Sequence, residues 1–217
     1  MSNFPKFAFV LFFCPFLWAQ EKQSHLQAAE LFRNKCIQCH GEKAEGKKSL
    51  KTPALASQSK VYLLEQLKKF KAGVRGKDAK TDAVGHLMGQ QVKNLSSEQI
   101  DALASYLSSL KAPISPQIKN ESFKRGEQLY QKHANCISCH GLYAEGNESM
   151  KAPKLNILSA QYIESALKKF SNGQRVADGS KDPHGQLMVK VLKDYSLQAQ
   201  DFKDLAAYIS GLKQVKD

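Results

Sequence analysis

The chain has 217 residues, of which 42% are hydrophobic and 24% are charged. This composition is typical of a folded globular protein and excludes a mainly disordered or low-complexity chain. The length allows one large domain or two small ones. The net charge of +12 favours acidic partners or anionic membrane surfaces, although a basic surface also serves solubility alone.

The first element is the only long apolar run of the chain, and it follows Lys6. About a dozen apolar residues suit the core of a signal peptide, whereas a membrane span needs roughly 20. We therefore interpret residues 1–19, including Cys14, as a signal peptide and expect export to the periplasm. An uncleaved anchor with membrane association is the alternative, because Leu17 and Trp18 make a poor cleavage site. Nucleic acid is not an expected partner, since an exported chain without a nucleic-acid motif has no means to recognise it.

The segments that follow predict helices. A short helix precedes a Cys-X-X-Cys-His motif at residues 36–40, and residues 59–70 place apolar side chains at helical spacing. Residues 96–110 begin with Ser96, followed three positions later by Gln99, which is the pattern of a capping box at a helix start. Since no segment shows a convincing strand alternation, the sequence predicts an all-α fold.

The second half of the chain repeats the first at a shift of 100 residues. The matched positions extend over about 50 residues and include the Cys-X-X-Cys-His motif, Pro53 and Pro153, Lys-Lys-Phe at 68–70 and 168–170, and Met88 and Met188. Such a constant shift predicts an internal duplication of a domain-sized unit. We expect domains at residues 20–112 and 121–217, joined by a linker at 113–120 that contains proline.

The repeated motif consists of Cys36, Cys39 and His40, and of Cys136, Cys139 and His140. A zinc site would not account for the repeated methionine, and a redox dithiol of the thioredoxin type needs strands that are not predicted. A disulfide would give the histidine no role. Covalent haem c explains the whole motif, because the cysteines form thioethers and the adjacent histidine binds the iron. The sequence therefore predicts two covalently bound haem c groups.

The second axial position of each iron needs a further ligand. Met88 and Met188 are in register, each in a glycine-containing segment between predicted helices, whereas Met150 is matched by Leu50. The two matched methionines are the predicted axial thioethers, with a core methionine as the alternative. His86 is the rival ligand in the first copy, because it lies two residues from Met88.

With these motifs the chain resembles the class I c-type cytochromes, and its tandem arrangement is similar to the dihaem cytochrome c4 group. The resemblance covers about residues 25–112 and 118–213. It implies that the backbone carbonyls of Pro53 and Pro153 hydrogen-bond the iron-binding histidines and fix their orientation.

The resemblance also implies that the first and last helices of each domain cross at a small residue beside an aromatic one. Gly126 and Tyr130 fit this pattern in the second domain. In the first domain Ala28 replaces the glycine beside Phe32, and we expect the crossing there to be slightly wider.

The function implied by the resemblance is that of an electron carrier, in which two haems approach each other across the domain interface. The basic surface would steer the carrier toward redox proteins with acidic docking surfaces, such as a terminal oxidase or reductase. A dihaem enzyme of the peroxidase or thiosulfate-oxidising type is one alternative, although each copy keeps its methionine and no mature cysteine is left over as a ligand. A membrane-anchored haem subunit of a respiratory complex is the other alternative.

Overall fold

The structure is a computed structural model that describes residues 15–112, 120–176 and 181–212, with side chains from residue 20 onward. The predicted all-α fold is confirmed, since these residues form helices and no strand. The predicted leader lies outside the described residues up to residue 14, and so does most of the predicted linker. No helix in the described part of the chain is long and apolar enough to cross a membrane.

Within the described residues, the first domain contains five helices, and side-chain caps fix the starts of the last three. Its helices are α1 (Pro15–Lys35), α2 (Ile37–His40), α3 (Lys60–Lys71), α4 (Ala83–Val92) and α5 (Ser97–Ser109). The Ser59 hydroxyl accepts a hydrogen bond from the Tyr62 amide at the start of α3. The predicted capping box of Ser96 and Gln99 is present at the start of α5. Helix α1 is longer than the short helix predicted before the first motif.

The second domain repeats this arrangement. Its elements are α6 (Glu121–Gln128), a π-helical turn (Leu129–His133), α7 (Ile137–His140), α8 (Ala160–Ser171), α9 (Pro183–Asp194) and α10 (Ala199–Ser210). Helix α10 packs against α6 and α8, as α5 packs against α1 and α3. Each domain therefore encloses its own apolar core.

The crossing of α6 and α10 is closest at Gly126. A Cβ atom at this position would lie 2.0 Å from the backbone oxygen of Asp204 and 2.7 Å from Cβ of Tyr208. Only glycine permits this approach of two backbones. In the first domain Ala28 and Phe32 are buried at the corresponding place, so α1 and α5 pack with one more methyl group between them.

The positions of Met88 and Met188 differ from the prediction. The sequence predicts both between helices, but in the structure they lie inside α4 and α9. Each of these helices begins at an aspartate, Asp82 or Asp182, whose carboxylate accepts a hydrogen bond from a glycine amide three residues on. This N-cap offsets the low helix propensity of the glycine.

The two domains meet through a pair of reciprocal ion pairs. Lys69 Nζ lies 2.6 Å from Asp182 Oδ1, and Lys169 Nζ lies 2.7 Å from Asp82 Oδ1. Each residue is the repeat equivalent of its counterpart in the other pair, which is the signature of an approximately two-fold interface. The interface therefore fixes the starts of the two methionine-bearing helices against the opposite domain.

Candidate haem sites

Each Cys-X-X-Cys-His motif forms one short helical turn. In the first domain the backbone amides of Cys39 and His40 both donate to the carbonyl of Cys36, at 3.2 and 2.9 Å. Gly41 ends the turn with φ at +82°, and a Cβ atom there would lie 2.4 Å from the Glu45 carboxyl group. The second motif has the same hydrogen bonds. The turn holds the cysteines and the histidine close together in both domains.

The two histidines are oriented by the prolines that the resemblance indicated. His40 Nδ1 lies 3.0 Å from the Pro53 carbonyl oxygen, and His140 Nδ1 lies 3.2 Å from that of Pro153. A ring nitrogen that bonds a carbonyl carries the proton, so the other nitrogen, Nε2, keeps a lone pair for a metal. Burial lowers the pKa of both histidines, against the smaller effect of these hydrogen bonds, and this favours the neutral form that a metal requires.

One cavity of the second domain is lined by all four predicted haem-binding side chains, Cys136, Cys139, His140 and Met188. Most of its remaining wall is apolar and includes Ile163 and Leu205. Met150 and Leu187 also line it, and they are 41% and 46% exposed. Large apolar side chains that stay open to a cavity indicate an apolar ligand. The flat hydrophobic ring of haem fits this requirement.

In the first domain, Met88 packs against the same apolar core as Cys36 and Ile37 of the first motif. The structure thus brings the methionine-bearing helix and the Cys-X-X-Cys-His turn onto one core, as it does in the second domain. His86 is engaged elsewhere, because Nδ1 lies 3.2 Å from the Gly76 carbonyl and Nε2 lies 3.2 Å from the amide of Gln90. With both nitrogens occupied, His86 is a weaker candidate for an iron ligand than Met88.

The structure describes the four cysteines of the two motifs and their surroundings. The residues that the structure describes contain no cluster of three or more side chains suited to a metal ion, and their four cysteines are unpaired. Burial raises the pKa of the Cys36 thiol to about 11 and that of Cys136 to about 12. Without a ligand, these two thiols are therefore mainly protonated at neutral pH.

Positive charge collects where the haem cavity meets the domain interface. Arg175 is buried, lines the cavity and donates to the hydroxyl groups of Tyr62 and Tyr162 at 2.9 and 3.2 Å. Nε of Arg75 is buried and has no hydrogen-bond partner among the described residues. Burial opposes ionisation of Tyr162, but the two guanidinium groups lower its pKa to about 8. A ligand with carboxylate groups, such as haem with its propionates, suits this surplus of buried positive charge.

Residues of the first domain also reach the cavity of the second, which sequence reasoning did not predict. Glu65 and Lys69 line it, and Glu65 binds His184 and Lys151 at 3.0 and 3.1 Å. The sequence places Lys69 in register with Lys169, and this repetition is a signal from which the role of Lys69 at the domain interface could be predicted. Glu65 has no such signal, because its repeat equivalent is Ser165.

Comparisons with known proteins agree with this geometry. The family model described as "Cytochrome c" matches residues 26–111 and 123–213. Cytochrome c4 of Azotobacter vinelandii is 30% identical over 185 residues, which cover 82% of this chain and 84% of that protein. The thiosulfate dehydrogenase electron acceptor of Thiomonas intermedia is 34% identical over 76% of this chain and 74% of its own length. The crystal structure of reduced recombinant cytochrome c4 from Pseudomonas stutzeri matches with a TM-score of 0.68 and 27% identity, covering 89% of this chain and 98% of that chain.

Proposed function

Because the chain belongs to the cytochrome c family and carries two covalently bound haem c groups, we propose that it is a periplasmic electron carrier with His/Met ligation at both irons. The first haem belongs to the domain at residues 20–112 and the second to the domain at 121–217. Residues 113–120 link the domains, and residues 1–19 direct export. Two observations carry the proposal. In the second domain the proline-oriented His140 lines one cavity with Met188, and in the first domain Met88 packs against the same core as Cys36 and Ile37 of the motif that contains His40.

Each side chain of the site has a defined task. Four cysteines attach the two haems through thioether bonds, namely Cys36 and Cys39 for the first and Cys136 and Cys139 for the second. A bound haem supplies an iron that accepts one electron and releases it again. His40 and His140 bind the irons through Nε2, and the carbonyls of Pro53 and Pro153 hold the rings in place.

Met88 and Met188 complete the ligation and decide the type of chemistry. A thioether is a soft ligand that favours ferrous iron and raises the reduction potential relative to a second histidine. A haem iron that took a histidine and a methionine from the protein would have no position left at which a substrate could bind. Electron transfer without bond making is the activity that this arrangement supports, and we therefore propose a carrier rather than an enzyme.

The charges of the chain suggest the kind of partner. The polypeptide has a net charge of +12, and a basic protein associates fastest with acidic redox partners. The relative from Thiomonas intermedia is named as the electron acceptor of a dehydrogenase. We propose the same place for this chain, which takes electrons from an exported donor and passes them to an oxidase or reductase with an acidic docking surface.

The ligand assignment is tested with the holoprotein and three methionine variants. A pyridine haemochrome assay should give two haems per chain. The oxidised protein should show the Met–iron charge-transfer band, which Met88→Ala and Met188→Ala should each reduce by about half, while Met150→Ala leaves it intact. If the band is absent from the wild-type protein, His86 becomes the ligand to test in the first domain. Turnover of thiosulfate or peroxide at enzyme-like rates would overturn the carrier proposal.

A further inference from the structure

The second domain contains two short insertions relative to the first. Phe32 and Cys36 are four positions apart, whereas their equivalents Tyr130 and Cys136 are six apart. These two extra residues lie directly before the second Cys-X-X-Cys-His motif. The chain accommodates them in the π-helical turn Leu129–His133 and in Asn135, whose φ is +46°.

The other insertion follows the helix that carries Met188. Buried Val92 and Leu95 are three positions apart, whereas the equivalent buried residues Leu192 and Leu197 are five apart. The additional length includes Tyr195, which follows the last residue of α9. Both insertions interrupt regular α-helical geometry. The first forms a π-helical turn, which is rare, and in the second Ser196 has a positive φ of 52°.

The two insertions meet although they are about 60 residues apart in the sequence. The rings of His133 and Tyr195 contact each other edge to face, with centroids 5.7 Å apart and an interplanar angle of 62°. Ala134 and Asn135 of the first insertion and Tyr195 of the second line the cavity that contains Cys136 and Met188. The insertions thus build one wall at the haem cavity of the second domain, and the first domain lacks both insertions.

We propose that Tyr195, held in place by His133, covers part of the second haem and raises its reduction potential. This inference rests on the proposed haem sites. Oxidised haem carries one more positive charge than reduced haem, and water stabilises that charge. A wall that excludes water from the haem therefore destabilises the oxidised form and raises the potential. Tyr195 is a positioning and tuning residue here and does not bind the iron.

The test is a potentiometric titration of the holoprotein with matched variants of Tyr195. Tyr195→Ala should shift one of the two midpoint potentials to a lower value and leave the other unchanged. Tyr195→Phe should keep the wild-type potentials, because the ring and not the hydroxyl group excludes water. Tyr143→Ala is the control, since Tyr143 is an exposed tyrosine of the same domain that does not line the cavity. His133→Ala should give a smaller shift in the same direction as Tyr195→Ala.

A second measurement identifies the affected haem. Azide should displace the methionine from the second ferric haem several-fold faster in Tyr195→Ala than in the wild-type protein, and binding at the first haem should be unchanged. The Met188→Ala spectrum identifies the second haem. If Tyr195→Ala retains the Met–iron band but shifts neither potential, or shifts both equally, the tuning role is refuted while the ligand assignment stands. If the wild-type protein lacks the band at the second haem, the proposed function fails first.

Discussion

Replacement of Asp182 by asparagine should weaken the contact between the two domains. Oδ1 of Asp182 lies 2.6 Å from Nζ of Lys69, and the two side chains are only 5% and 10% exposed. Asparagine is an equally good helix N-cap, so its oxygen can still accept the hydrogen bond from Gly185. The substitution therefore removes the charge of the interface pair and leaves the start of the methionine-bearing helix intact.

The loss of unfolding free energy in each variant depends on which partners the remaining lysine keeps. Removing one partner of a buried ion pair destabilises a protein by about 3–5 kcal/mol. Lys69 retains Glu65 at 2.6 Å, so its charge is not left alone, and we expect about 2–3 kcal/mol for Asp182→Asn. Asp82→Asn should cost less, about 1–2 kcal/mol, because Lys169 is 26% exposed and water replaces part of the lost interaction.

Thermal unfolding of the oxidised holoprotein measures this difference. For a chain of this size, 2–3 kcal/mol corresponds to a fall in the melting temperature of roughly 4–12 °C. Asp194→Asn is the control, since its pair with Lys190 lies on the surface, where such pairs contribute roughly 0–1 kcal/mol. We expect the order Asp182→Asn, Asp82→Asn, Asp194→Asn from the largest fall to the smallest. Equal melting temperatures for the first and the last of these variants would show that the buried pair does not hold the domains together.

Two further predictions concern a helix crossing and the pH dependence of the interface. Gly126→Ala should lower the free energy of unfolding by about 3 kcal/mol or more, because the new methyl group would meet the backbone of Asp204. Ala28→Gly should lower it by about 1 kcal/mol. Urea unfolding of both variants measures the two values. Similar costs would contradict the close packing at Gly126. Burial alone would raise the pKa of Glu65, but its partners, Lys69 foremost, lower it from 4.5 to about 2. A depressed folded-state pKa stabilises the protein above the unfolded value, so this contribution is full above pH 4.5 and is lost as the pH falls toward 2. The melting temperature of Glu65→Gln should therefore fall less between pH 5 and pH 2.5 than that of the wild-type protein, and parallel curves would refute the role of Glu65.

Local signals explain which parts of the fold could be predicted. The capping box of Ser96 and Gln99 marked the start of α5, because a cap depends only on residues a few positions apart. The two Cys-X-X-Cys-His motifs could be recognised for the same reason, since each consists of five consecutive residues. The sequence does not predict the helices that carry Met88 and Met188, because glycine lowers helix propensity and the compensating caps of Asp82 and Asp182 are not evident from periodicity. The contacts between the domains could not be derived, because they depend on how two complete domains are oriented.

Some residues of the interface can nevertheless be recognised in the sequence, because they repeat. The Lys-Lys-Phe segments repeat at the shift of 100 residues, and so do the arginines at 75 and 175. In an approximately two-fold interface each contact occurs twice, so residues that face the other domain must also repeat. Lys69 and Lys169 do so in the two reciprocal ion pairs.

By the same reasoning, positions at which the copies differ show where the two haem environments diverge. Glu65, opposite Ser165 in the repeat, binds Lys151 of the other domain near the second haem cavity. Tyr195 lies in an insertion and lines the same cavity. Both differences concern the second site. By the proposal above, Tyr195 limits solvent access there and raises the potential of the second haem, whereas the negative charge of Glu65 is paired with Lys69 and Lys151 and would change that potential less. A shift at one haem alone changes the difference between the two potentials. In a two-centre carrier that difference sets the preferred direction of electron flow along the chain.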